Sequence, residues 1–546
     1  MLESSVINCA KTDSRFRVAT HWIAIGLTAL ALCCGVPVAS AQPAFPLHTA
    51  GQYIVDSNGY RVRLNALNWY GTESTDYVVA GLQTASLQSI VNEIQSLGFN
   101  AVRLPWSNQM YESNPVVGNY ALAANTSLQG ENALTIFDQV ISTLTNAGIM
   151  VILDNHGSNA QWCCSTTDGN TLWYNSSYPE TSWISDWEGI VQRYQGNPYV
   201  IGADLRNEPR GTATWGGSAS TDWHAAAQRG GDAIQSVNSN LLIFVEGISY
   251  AGDLSGVSSL PVSLTVGNHL VYEAHDYGYW YSGLTGKSNY ESIINPKWGY
   301  LITGSNPQPF WIGEFGTCNT ASTCVSSSSN ADNGYWFGLI TGYLRAHNVD
   351  WSYWAINGTE STGSGRTWGA AESYGVLNTS WNGSALASLT SALQTLMNNG
   401  CDIQTGNWEI TNVSSGLAME VYNQSTSDGA VVDQWSYWGG TNQRWNITYL
   451  NNGLYQITNV NSGMVLDATN RGTTNGTKMQ QWSNLSGSNQ EYIIRRAAND
   501  TDILIINSNS GLAVEVPGFS TTNGTQLDTW SENGGTNQQW LLGNKQ

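Results

Sequence analysis

Eight short apolar runs, each closing on polar side chains, constrain this chain more than any other feature. They are VRLNALNW (62–69), NAVRLPWS (100–107), MVILDNHG (150–157), VIGADLRNEP (200–209), LLIFVEG (241–247), HLVYEAHDYG (269–278), PFWIGEFG (309–316) and WSYWAIN (351–357). Between several of them lie LQSIVNEIQSLG (87–98), ALTIFDQVISTLTNAG (133–148) and WISDWEGIVQRYQG (183–196), whose apolar residues recur at i, i+3 and i+4, the spacing of helices with one buried face. Eight strands alternating with helices between residues 50 and 395 predict a (β/α)8 barrel. In that fold the C-terminal strand ends and the loops after them converge on one face. The polar endings are therefore expected to line one pocket: Asn68, Arg103, His156, Asn207 with Glu208, Glu246, His275 with Tyr277, Glu314 and Trp354.

Two of these endings suggest a reaction. A polar cluster at the end of a buried strand costs free energy unless it is used, and Arg206, Asn207 and Glu208 form one while Glu314 stands in another. Cleaving a bond between two sugars needs a proton for the leaving oxygen and electron density at the anomeric carbon, which two carboxyls in different electrostatic states supply. Glu208 is assigned as acid/base, with the Asn207 amide placed to bond a substrate 2-hydroxyl. Glu314 is assigned as nucleophile, kept ionised by Arg103 and the Tyr277 hydroxyl. Glu246, preceded by Val245 and not by Asn, is the rival carboxylate and is read as cleft-lining or structural. Taken singly, Arg103 has an ordinary reading as partner of a buried acid, and His156 and His275 as satisfied core histidines. Trp354 is expected to floor the subsite of the cleaved sugar, with Trp69, Trp173 and Trp215 as weaker candidates for outer subsites.

LRNEP, YEAHDYG and WIGEFGT, in this order and on these strands, resemble the family 5 glycoside hydrolases. LNWYGTES, SLGFNAVRLPWS, WISDWEGIVQRYQGNP and LLIFVEG resemble most that family's secreted bacterial endo-β-1,4-glucanases, and the likeness spans residues 50–395. It implies retaining chemistry with Glu208 as acid/base and Glu314 as nucleophile, and it places Arg103, His156, Asn207, His275, Tyr277 and Trp354 on the family's other active-site positions. The expected substrate is a β-1,4-glucan. The dyad does not encode the sugar, so a β-mannanase or xylanase on the same scaffold stays open, as does a non-catalytic sugar-binding protein with a decayed barrel. No motif implies a cofactor or a metal.

After about residue 400 the chain turns to Asn, Gly, Ser, Thr and Gln and repeats itself. Segments 415–445, 462–492 and 510–540 align, with Gly416, Gly463 and Gly511, and likewise Trp435, Trp482 and Trp530, at the same register. Units this short cannot each hold a core, so three are expected to share one. The pattern resembles the ricin-type β-trefoil, whose Gln-x-Trp signature stands at Gln443–Trp445 and Gln538–Trp540, while the middle copy has Gln490–Tyr492. The resemblance implies sugar sites at Glu420, Trp435 and Asn442, at Asp467, Trp482 and Asn489, and at Glu515, Trp530 and Asn537. Two of the three acids are Glu where Asp is usual, and a trefoil acting only as a spacer stays open.

The resulting division is 1–41 signal peptide, 42–397 catalytic barrel, 398–405 linker and 406–546 trefoil. Lys11, Arg15 and Arg17 precede the apolar run Trp22–Val36, and ASA at 39–41 offers a small-residue cleavage site, which together read as a secretory leader. Its removal leaves Cys163, Cys164, Cys318, Cys324 and Cys401, in a compartment that permits disulfides. Cys318 and Cys324 are expected to pair, and the other three are unresolved. A net charge of −20 argues against nucleic acid and an anionic membrane as partners. With 24 Trp, 26 Tyr and only 11% charged residues, the composition suits a neutral polymer, and a monomer is expected.

Overall fold

The computed structural model describes residues 43–57, 61–397, 406–451, 454–496 and 502–543. The leader, the linker and Cys401 lie outside the described residues. The eight apolar runs form eight strands: β1 (Asn65–Asn68), β2 (Ala101–Ser107), β3 (Met150–Gly157), β4 (Val200–Asp204), β5 (Leu242–Glu246), β6 (Leu270–Tyr277), β7 (Phe310–Gly316) and β8 (Asp350–Tyr353). Each pairs in parallel with its sequence neighbours, and β8 closes onto β1 to complete the barrel.

The two-residue period of a strand explains how one strand serves both core and site. On β2 the inward residues are Ala101 then Arg103; on β5, Leu242, Phe244 then Glu246; on β6, Val271, Glu273, His275 then Tyr277. Each series is apolar at the strand's start and polar at its end. Ala66, Ala101, Met150, Ile152, Leu242, Phe244, Val271 and Trp311 thus fill the lower barrel. Leu47 and Ile54, from an N-terminal hairpin (His48–Ala50 with Tyr53–Val55), join that cluster. The sequence reading did not anticipate this hairpin.

Outside the strands, helices Leu87–Ser96, Ala133–Asn146, Glu180–Tyr194, Trp223–Val237 and Asn333–Ala346 bury their apolar stripes against the barrel wall. The first starts where Ser86 accepts the Ser89 N–H at 3.2 Å, and it buries Leu87, Ile90, Val91 and Ile94. That hydroxyl satisfies a helix N–H that would otherwise lack a partner. No helix among the described residues is long and apolar enough to cross a membrane.

From Gly406–Asn412 to Trp540–Gly543 the chain is a thirteen-stranded antiparallel assembly around one core. Met419 and Trp445, Leu466 and Tyr492, and Val514 and Trp540 supply that core from the three repeats in turn. Tyr492 is fully buried at the place of the two tryptophans. Where Trp445 and Trp540 donate to Met419 O and Val514 O, Tyr492 donates to Asn489 O at 3.3 Å. The departure in the middle copy is absorbed without an orphaned polar group.

Candidate active site

Glu208 follows β4 and Glu314 lies within β7. One oxygen of each, together with Nδ1 of His275, falls within a 4.8 Å cluster. A register shift between β6 and β7 after Ala274 sets Glu314 opposite His275. Gly313 makes the shift possible, since a Cβ there would collide with Glu273 Oε1. A pair this close fits the retaining arrangement, whose carboxyls stand about 5–5.5 Å apart, and not the inverting one at about 6.5–9.5 Å. Glu208 has φ +48°, a left-handed conformation that is uncommon for a residue with a side chain. It is held there by its own N–H donating to Glu246 Oε2 at 2.6 Å and by Arg210 donating to its carbonyl at 2.9 Å. Glu246, the rival carboxylate, is buried and braces the acid instead of lining the cleft.

Arg103 sits beneath the pair as the hub of a buried acidic ring. Its guanidinium reaches Asp154 at 3.0 Å, Asp204 at 2.6 Å, Glu246 at 3.0 Å and Glu314 at 2.9 Å, and it also donates to Asn207 Oδ1 at 3.1 Å. One cation cannot hold all these carboxylates ionised in a site shut from water. Burial accordingly pushes Asp154 and Asp204 up to about 7 and Glu246 and Glu273 well above the carboxylate range, so protons are shared in the ring. Arg103 and His275 are both 0% exposed, which corrects their assignment to substrate binding: they position the dyad from below. His275 Nδ1 lies 3.0 Å from Glu208 Oε1 and 3.6 Å from Glu314 Oε2. Asn207, 1% exposed, presents its amide beside the sulfurs of Cys163 and Cys164.

Above the dyad opens a cavity of about 490 Å³, lined by Glu208, Glu314, His156, Tyr277 and Trp354 from the expected set. Tyr277 donates to Glu314 Oε2 at 2.8 Å, and His156 bonds Asp154 through Nδ1 at 2.7 Å. The Trp354 ring stacks with Tyr70 at 5.2 Å and with His156 at 5.5 Å, and these contacts fix its plane in the cavity wall. Trp162, Tyr250, Tyr279, Trp280, Arg366 and Tyr374 also line it, beside Cys163 and Cys164. Tyr279 and Trp280 stand on a short 3-10 turn and Trp162, Tyr250, Arg366 and Tyr374 on loops, where no periodicity marks them. Trp69 is corrected: it is fully buried and donates through Nε1 to Ala80 O at 2.9 Å, so it touches no sugar. Trp173 is likewise buried, bonded to Glu180, and Trp215 is turned to Leu260 O. Tyr70, one residue on from Trp69, is the ring that backs the cleft.

Cys318 and Cys324 form a disulfide, and so do the adjacent Cys163 and Cys164. Among the described residues, side chains able to hold a metal gather as Glu208–His275–Glu314, Glu246–Glu273–His275 and Cys163–Cys164–Glu208. The first two are the dyad and its bracing ring, and in the third both sulfurs are committed to each other.

In the trefoil, each repeat clasps its acid in the same way. Glu420 Oε2 accepts from Asn442 and Gln443 at 3.4 and 2.8 Å, Asp467 Oδ2 from Asn489 and Gln490 at 2.7 and 2.9 Å, and Glu515 Oε2 from Asn537 and Gln538 at 3.1 and 2.9 Å. The surroundings differ. The first repeat forms a cavity of about 330 Å³ with Glu420, Trp435, Asn442, Tyr422 and Trp438. At the registers of Tyr422 and Trp438 the second copy has Thr469 and Leu485, and the third Pro517 and Asn533. Trp482 is half-buried and Trp530 is 42% exposed.

Residues 55–360 match the family model described as cellulase (glycosyl hydrolase family 5). The chain belongs to glycosyl hydrolase family 5. An endoglucanase of Paenibacillus polymyxa is 40% identical over 330 residues, covering 57% of this chain and 79% of that protein. The major extracellular endoglucanase of Xanthomonas campestris pv. campestris is 32% identical over 348 residues, 60% of this chain and 68% of that one. The solved catalytic domain of the major endoglucanase from Xanthomonas campestris pv. campestris superposes with a TM-score of 0.56 at 28% identity, over 64% of this chain and 99% of the other. Residues 395–482 and 488–546 match the ricin-type β-trefoil lectin domain-like model.

For a family 5 hydrolase the proton inventory of the dyad decides what it can do. Burial pushes Glu208 up to about 7, against the opposing charges of Arg210 and Arg103. It therefore carries a proton at mildly acidic pH and is a general acid matched to its task. Burial raises Glu314 as well, opposed by the charges facing it, among them Arg103. The Arg103 and Tyr277 hydrogen bonds favour its ionised form. His156 and His275 are lowered to about 3 by burial and stand as neutral imidazoles.

Proposed function

We propose that the protein is a secreted, retaining endo-β-1,4-glucanase whose trefoil binds carbohydrate. The observation that carries this is the dyad itself: one oxygen of each carboxyl within a single 4.8 Å cluster, both raised by burial, with Glu314 alone accepting hydrogen bonds from a guanidinium and a tyrosine, which favour its ionised form. Glu314 Oε attacks the anomeric carbon while Glu208 gives its proton to the departing glycosidic oxygen, so the C–O bond to the leaving chain breaks as the glycosyl ester forms. Glu208, now a carboxylate, takes a proton from water, whose oxygen displaces Glu314 and restores both groups with configuration retained. Trp354 offers its face to the sugar ring at the cleavage point, and His156 edges the same subsite.

Glucan as substrate rests on the endoglucanases among the relatives, and the extracellular relative together with the basic, apolar, small-residue start of the chain supports secretion. The cavity is open to the surface and walled by rings on loops, the form of a cleft that accepts internal bonds of a chain. In the trefoil, the acid clasped by Asn and Gln presents an acceptor to sugar hydroxyls and an adjacent aromatic stacks. Reducing-sugar release from carboxymethylcellulose, mixed-linkage glucan, mannan and xylan tests the assignment. Release from the two glucans at least tenfold above the others is expected, together with a fall in viscosity that outpaces release. Preference for mannan or xylan overturns the glucan assignment, and no release from any polymer overturns the enzyme.

A further inference from the structure

Cys163 and Cys164 stand at a place the proposed chemistry does not use. Their disulfide is half-buried and faces the cleavage cavity alongside Glu208. It also forms part of a second cavity of about 640 Å³, with Gln161, Asp168, Thr362 and Ser364 around its rim. The same three residues, Trp162, Cys163 and Cys164, belong to both cavities, so the two are compartments of one groove with the disulfide at the junction. Arg366 lies 3.8 Å over the Trp162 ring, and Arg210 ties Asp168 to the acid/base loop at 2.5 Å. Asn207 Nδ2 lies 3.6 Å from each sulfur. The segment is thus pinned from both sides.

We propose that the Cys163–Cys164 disulfide is a sugar-contacting surface that carries a glucan chain from the cleavage cavity into the second cavity and so creates an additional subsite there. This rests on the glucanase reading above. Two bonded sulfurs present a polarizable, donor-free face that packs against the C–H face of a pyranose by dispersion. Gln161, Asp168, Thr362 and Ser364 offer acceptors and donors for the hydroxyls at the ring's edge. Two free thiols at the same positions present rotating S–H groups and no fixed face, so the contact depends on the bond between them.

The test is the chain-length profile of the full-length enzyme. kcat and KM are measured on cellotriose through cellohexaose for the parent, for a Cys163→Ala/Cys164→Ala variant, and for the parent treated with a water-soluble phosphine. The phosphine opens S–S to two thiols and becomes the phosphine oxide with oxygen from water. A Cys318→Ser/Cys324→Ser variant, treated likewise, accounts for the other disulfide. The parent is expected to gain in kcat/KM as chains lengthen. In the variant and the reduced enzyme, KM for cellohexaose is expected to rise at least fivefold with kcat within twofold, and the gain with length to collapse, while the pH profile and melting temperature hold. An unchanged length profile overturns the proposal, and so does an equal loss of kcat on every length, which assigns the disulfide to bracing Asn207 alone. A parent inactive on every cello-oligosaccharide but active on mannan or xylan contradicts the glucanase reading instead, and the same comparison on those oligomers then decides the subsite.

Discussion

Glu208 keeps its proton up to about pH 7 because burial disfavours the carboxylate. The sign follows: the acid is present below that value and is lost as pH rises through it. On a natural oligosaccharide kcat/KM is expected to fall by about tenfold per pH unit above the alkaline limb. In Glu208→Gln, on an aryl cellobioside whose leaving group needs no proton, that limb is expected to vanish while slow turnover persists; a surviving limb places the acid elsewhere. Azide separates the two roles chemically. Added to Glu314→Gly it is expected to give an α-glycosyl azide, and added to Glu208→Ala a β-glycosyl azide, identified by NMR. Arg103 acts through others. Arg103→Lys keeps one charge but loses the fork that joins Asp204, Glu246, Glu314 and Asn207. It is expected to cost about 3–5 kcal/mol in denaturant unfolding and to move the acid limb of the rate profile upward as Glu314 loses the guanidinium hydrogen bond. A variant with the parent's stability and pH profile contradicts the hub.

At the scale of elements, the first trefoil repeat is the one we propose to hold a sugar. Glu420 has Tyr422, Trp435 and Trp438 around it, whereas the second copy has Thr469 and Leu485 at the matching registers. Tyr422→Ala and Trp438→Ala are each expected to weaken retention of the full-length enzyme on insoluble polysaccharide by at least fivefold and to leave soluble turnover unchanged. Asp467→Ala is expected to do less, and the reverse order moves the site to the second repeat. The contrast also shows what sequence carries and what it does not. The acid and the Asn-Gln pair recur at fixed spacing and are legible, but Tyr422 and Trp438 occur in one copy, so no repeat announces them. The barrel was legible because eight apolar runs end in polar residues wherever a strand reaches the site. The hairpin at 48–55 was not, because strands of three residues leave no period to read. Trp69 and Tyr70 are both fully buried, and one position past the strand separates a ring in the core from a ring stacked behind Trp354. The pairing of Cys163 with Cys164 had no signal apart from adjacency.

For the whole molecule, the barrel and the trefoil each have a core, and a small apolar patch links them: Leu454, Ile493, Leu504 and Ile506 of the trefoil pack with Tyr53 of the N-terminal hairpin. Ending the chain near residue 400 is expected to preserve turnover of soluble glucan, since every dyad and cleft residue lies before it, but to lower the melting temperature by exposing Tyr53 and its hairpin. Loss of soluble turnover contradicts separable domains. What unites the scales is the claim that Glu314 forms a covalent bond to the sugar and Glu208 serves both halves of the reaction. The most direct test is the configuration of the first product, followed by proton NMR during hydrolysis of cellopentaose before mutarotation intervenes. With Glu314 as nucleophile the β-anomer appears first and the α-anomer grows in later. An α-anomer formed first means inversion, and it contradicts the nucleophile.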